Sequence, residues 1–171
     1  MKKYITFILL LTFILSFSGC NVTSLPKKMP DDFSFSLTWG AYGFSSYDSK
    51  TGELIKTTDS THPEDYITYY ELPAEYKEII YDSIQTLDVY SYPDIYNPYA
   101  DGLLSEPSIT LILTVRIGNS TKTISAKDIA MLVQAKDEKG QAFLTTCRLI
   151  EDILTETDEW KTLPDYEFYY E

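Results

Sequence analysis

The stretch SITLILTVRIG, residues 108 to 118, limits the choices of this chain more than any other segment. Ile109, Leu111, Leu113, Val115 and Ile117 stand at alternate positions, so an extended strand gathers all five on one side. A helix would scatter them around its circumference. β-Branched residues fill most of the run, which suits a pleated, half-buried surface. Gly118-Asn119-Ser120 then turns the chain into a second strand at TKTISA.

The same period recurs near the start. In FSFSLTW, Phe33, Phe35, Leu37 and Trp39 alternate with Ser34, Ser36 and Thr38. Gly40-Ala41-Tyr42-Gly43 interrupts the strand and reads as a bulge, after which it resumes at FSSYD. SKTG turns it into ELIKTT, so residues 33 to 58 form a long hairpin, and YITYYEL, residues 66 to 72, is a third short strand.

Two segments change period. After Pro73, which the first turn of a helix tolerates, Tyr76, Ile80, Ile84 and Leu87 recur at helical spacing, so residues 73 to 88 are expected as an amphipathic helix. In QAFLTTCRLIEDIL, Phe143, Cys147, Ile150 and Leu154 make the same stripe. The expected fold is therefore α+β: an antiparallel sheet of about five strands, in the order βββαββα, with two helices packed on one face.

The chain's first nineteen residues do not belong to that fold. Lys2 and Lys3 precede an apolar run from Tyr4 to Phe17 that is shorter than the roughly 20 residues of a membrane span and fits a secretory signal. The run ends in Ser18-Gly19-Cys20, which resembles the lipobox of bacterial lipoproteins; Phe17 stands where that family usually has an aliphatic residue. The resemblance implies cleavage before Cys20 and a diacylglyceryl thioether on its sulfur. Two acyl chains on one cysteine hold a protein firmly at a membrane, at about 0.8 kcal/mol per buried methylene, where one chain holds it marginally.

The division is then residues 1–19 as signal peptide, 20–32 as a lipid-anchored tether rich in Pro and polar residues, and 33–171 as a single domain. The segment FSFSLTWGAYGFSSYDSKTGELIKTTD is also similar to uncharacterised lipoproteins of Gram-positive bacteria and to extracytoplasmic segments of antibiotic-sensing membrane proteins. That resemblance brings no catalytic residues with it.

Charge narrows the partners. The formal charge is −12, and removing the leader with its two lysines makes it −14. Such a surface repels nucleic-acid backbones and anionic lipid headgroups, so the partner at the membrane is the lipid on Cys20 and nucleic acid is excluded. With Cys20 lipidated, Cys147 has no disulfide partner; on the apolar helix stripe it reads as a buried thiol.

Motifs for catalysis are absent: no phosphate-cradling Gly loop, HExxH, CxxC or GxSxG occurs. His62, the sole histidine, lies among Asp59, Glu64 and Asp65 in a polar loop and marks no metal site by spacing. DSKTGE is similar to a calcium loop, but its glycine comes one position early and Lys50 takes a ligand place, so it reads as a hairpin turn. These residues call for no cofactor.

The remaining clue is tyrosine. Tyr90, Tyr92, Tyr96 and Tyr99 share one loop with Pro93 and Pro98, and their large rigid rings with hydroxyls suit a glycan or peptide ligand as well as local packing. The sequence thus points to a lipid-anchored extracytoplasmic binding or interaction module. A small cell-envelope hydrolase using carboxylates and an accessory lipoprotein of an envelope complex are the alternatives.

Overall fold

A computed structural model of the protein describes residues 24–99, 106–130 and 134–167. Cys20 and the leader lie outside the described residues. Alternation produces the first strand, β1 (Ser34–Trp39), and a meander follows through β2 (Ser45–Asp48), β3 (Glu53–Ile55) and β4 (Ile67–Tyr69). The helix α1 (Ala74–Leu87) then carries the chain back across the sheet to β5 (Ile109–Ile117) and β6 (Ser120–Ile129), and α2 (Glu138–Thr155) crosses it again before a short α3 (Asp158–Thr162). The sheet is antiparallel throughout, in the order β4-β3-β2-β1-β5-β6. The α+β class and the two main helices are as the periodicity requires.

Six strands form where about five were expected, and the reason is local. Gly40, Tyr42 and Gly43 all take positive φ, at 83°, 51° and 75°. Three left-handed residues in four cannot continue a strand. They reverse it, with Gly43 N–H donating to the Gly40 carbonyl and Phe44 N–H to the Ala41 carbonyl, both at 3.1 Å. What the sequence suggested as a bulge is therefore a hairpin turn, and Trp39 pairs with Ser45 and Leu37 with Tyr47. On its other side β1 pairs with β5, Leu37 opposite Leu113 and Phe35 opposite Val115.

This register decides the layers. Phe35, Leu37, Tyr47, Leu54, Leu113 and Ile124 share the face that the helices cover, and all are buried. Ile80, Ile84 and Leu87 of α1 meet it, as do Phe143, Ile150 and Leu154 of α2. Each such side chain, taken out of water, contributes about 1.5–3 kcal/mol. Ser83 of α1 donates to Thr146 of α2 at 3.1 Å where the helices touch. The opposite face is half-exposed and rich in hydroxyls, with Ser36, Thr38, Thr114 and Thr123 around an Arg116–Asp48 ion pair of 3.2 Å.

The second half of the expected tether lies against the domain. Leu25 and Met29 pack on the core, and Tyr81 of α1 donates its hydroxyl to the Pro26 carbonyl at 2.6 Å. At the other end of α1 the Asp88 backbone turns left-handed, φ 54°, and closes the helix.

Candidate functional site

The tyrosine loop is built inward. Tyr92 and Tyr96 are 3% and 7% exposed and meet edge-to-face at 5.0 Å, each also against Phe143 of α2. Their hydroxyls are used within the protein: Tyr92 donates to the Lys139 carbonyl at 2.8 Å and Tyr96 to the Asp137 carboxylate at 3.3 Å. Lys139 and Lys136 cover the outer ring faces at 4.6 and 4.4 Å. Burial pushes both phenols up to about 12. Tyr90 and Tyr99 are half-buried against the same core, Tyr90 within 3.2 Å of the Ser120 hydroxyl. The four tyrosines proposed as ligand-binding thus form a packed cluster that docks the loop on the start of α2, and none of them is exposed. Their internal packing, not an open face, answers why so many rings fall in one loop.

A different place has the geometry of a site. At the end of the sheet where the Gly40–Gly43 turn reverses the chain, a cleft of about 510 Å³ opens. That is the size range of pockets for small organic ligands. Four segments far apart in the chain make it: the turn and its flanks (Trp39 to Ser45), Thr57 and Asp59 after β3, Pro107 and Ile109 leading into β5, and Glu151, Thr155, Trp160 and Tyr166 from the C-terminal part.

Each wall has a structural cause. Trp39 ends β1 on the helix-covered face and is 2% exposed. Thr157 caps α3 by accepting the Trp160 N–H at 3.2 Å, which sets Trp160 over Trp39, ring centres 5.6 Å apart and 31° between planes. These are the only two tryptophans in the chain. The segment after α3 is tied back across the cleft. Tyr66 donates to the Asp165 carbonyl at 2.8 Å, Thr61 N–H to the Glu167 carboxylate at 2.9 Å, and Tyr166 to the Lys56 carbonyl at 3.3 Å. Buried Lys56 completes this corner, its ammonium 5.8 Å from the Trp160 ring and 5.6 Å from that of Tyr166, donating to the Leu163 carbonyl at 3.3 Å with Asp165 at 4.0 Å.

Two carboxylates face this largely aromatic cleft, Asp59 and Glu151. Burial raises the Glu151 carboxyl above its ordinary range; the nearby Asp152 charge adds to the rise and Arg148 opposes it. The arrangement can hold an apolar body between rings, accept hydrogen bonds from a cation or donor, and hold a proton at Glu151 more readily than a solvated carboxylate does.

The alternation puts Trp39 on the buried side of a strand and singles out neither Glu151, Trp160 nor Tyr166. Trp160 and Tyr166 lie in the acidic, aromatic tail DEWKTLPDYEFYYE, and its density of rings was the one signal available.

The other residues singled out are placed plainly. His62 is exposed, its Nδ1 3.6 Å from a Glu64 oxygen. Among the described residues no group of three or more His, Cys, Asp or Glu could hold a metal ion. The DSKTGE segment is the β2–β3 turn, closed by Gly52 N–H on the Asp48 carbonyl at 2.8 Å with Gly52 at φ 76°. Cys147 is 1% exposed in the core, and burial pushes its thiol up, away from reactivity. Among the described residues no helix is long and apolar enough to cross a membrane. No protein-family model matches the sequence, and no curated protein matches it significantly.

Proposed function

We propose that this protein is a lipid-anchored extracytoplasmic binding module that takes its ligand in the cleft at the Trp39–Trp160 end of the sheet. The carrying observation is the cleft itself: about 510 Å³, walled by the chain's two tryptophans and by Phe44 and Tyr166, with a half-buried carboxyl at Glu151. Aromatic walls with a few placed polar groups are what small-ligand sites are made of. The lipobox resemblance at Ser18-Gly19-Cys20 supports the anchor and the extracytoplasmic face of the cell membrane. The strongly acidic composition supports a partner other than nucleic acid.

A second reading, a carboxylate hydrolase of the cell envelope, is favoured by one observation: Asp59 and Glu151 line the same cleft. Two carboxyl groups on one cavity, one of them half-buried, are the parts from which an acid–base pair is built. Binding is preferred because the walls are mainly rings and aliphatic groups.

Thermal shift against a library of small aromatic and aliphatic compounds tests the cleft. Compounds that raise the melting temperature of the wild type should lose that effect in Trp160→Ala, measured relative to the unliganded variant. Hits that stabilise the variant equally would remove the cleft from the account. Turnover of any hit by wild type but not by Glu151→Gln would favour the hydrolase.

A further inference from the structure

We propose that the cleft selects an organic cation, an ammonium group carried on an apolar frame about the size of an aromatic ring. This rests on the cleft being the ligand site and adds the chemical class of the ligand.

The body of such a ligand matches the walls. Trp160 and Phe44 supply ring surface, backed by the buried Trp39, and Pro107 and Ile109 supply aliphatic surface. Ring faces attract cations through their quadrupole, and more so where water is thinned. The protein already uses this corner in that way: the Lys56 ammonium sits over the Trp160 and Tyr166 rings.

The charge matches too. Glu151 is half-buried against the apolar wall, and among the described residues no hydrogen bond or ion pair reaches its carboxylate. An ionised carboxylate in that position is costly unless a cation joins it. Asp59 adds a second negative group to the same cavity. The groups packed around them are of both signs. On α2, Arg148 lies one turn before Glu151 and draws its pKa down, but Asp152 follows directly and raises it. Lys161 of α3 is held by Glu156 at 2.7 Å. Lys56 stands at the same corner, and the Leu163 carbonyl and Asp165 answer it. Asp152, Asp158 and Glu159 line a second hollow, so the C-terminal part carries further acid. An anionic ligand of the same shape would be set against the Glu151 carboxyl.

Because both tryptophans line the cleft, the fluorescence of the full chain in detergent reads the site directly. The probes are three compounds on one frame: 2-phenylethylamine, 2-phenylethanol and 3-phenylpropionate. The amine should bind at least ~10-fold tighter than the alcohol, and the acid weakest, since about 1.4 kcal/mol from one charge contact is tenfold in affinity. Glu151→Gln, shown to be folded by a single cooperative melting transition, should bring amine and alcohol within ~3-fold of each other.

Equal binding of amine and alcohol by the wild type overturns the cation and leaves the cleft as a neutral apolar site. No response to any of the three overturns the cleft with it. A fourth probe, acetyl-phenylalanyl-lysine amide, puts the same ammonium on a peptide. Tighter binding than the free amine assigns a basic peptide as the source of the cation, and weaker binding assigns a small amine.

Discussion

Glu151 sits where burial, then the Asp152 charge, raise its carboxyl above the ordinary value of 4.5. A carboxyl that holds its proton more tightly folded than unfolded favours the folded state at low pH. That contribution is lost as pH rises from the unfolded value upward through the raised one. Glu151→Gln cannot titrate, so its stability relative to wild type should grow as pH rises above the ordinary carboxyl value of 4.5. Urea midpoints at several pH values measure this; a difference that stays flat would mean that the carboxyl is as well solvated as any surface acid. The same residue illustrates what was hidden in the sequence. Its place on α2, beside Ile150 and three positions before Leu154, puts it at the margin of the apolar stripe. A margin position reads as surface until the neighbouring strand turn is known.

At the scale of elements, legibility followed period. The strand β5 and both main helices were readable because a long run of apolar residues sits against one partner layer, and only one period fits each run. The Gly40–Gly43 turn was not, since alternation on either side of it is the same for a bulge and for a reversal. Only backbone φ at Gly40, Tyr42 and Gly43 separates the two. The short α3 is five residues long and cannot nucleate alone, so its cap at Thr157 matters more than propensity. The tyrosine loop was legible as a cluster but not as to its direction, because buried and exposed rings look alike in composition.

That loop's docking gives a prediction of its own. Asp137 caps α2 by accepting the Gly140 N–H at 2.6 Å and also takes the Tyr96 hydroxyl. The Pro98 carbonyl, which accepts the Lys136 N–H at 2.9 Å, presses so closely on Gly140 that an added Cβ would collide with it. Gly140→Ala should therefore destabilise the fold by about 1–3 kcal/mol, as overpacking does, although alanine is the better helix former. A denaturation midpoint at or above that of wild type would show that the loop is not seated on the helix.

Over the whole molecule, the candidate site is assembled from residues between Trp39 and Tyr166 that no local motif connects. Its position follows from topology: insertion of β5 beside β1 brings Ile109 next to the turn after Trp39, and α2 returns across the same end. The proposed anchor, by contrast, rests on twenty contiguous residues, 1–20. Cys20→Ala should leave an uncut precursor without the diacylglyceryl mass, read by mass spectrometry of the membrane fraction. Normal cleavage before residue 20 in that variant would contradict lipidation.

The central claim is that the cleft, and not the tyrosine loop, meets the ligand. Proton–nitrogen correlation spectra of the full chain test it most directly, with the two tryptophan indole signals and the backbone amides of residues 90–99 followed together as small aromatic amines are added. A ligand held in the cleft shifts the Trp39 and Trp160 indoles saturably and leaves the loop amides in place. Shifts confined to residues 90–99, with both indoles unmoved, would contradict it.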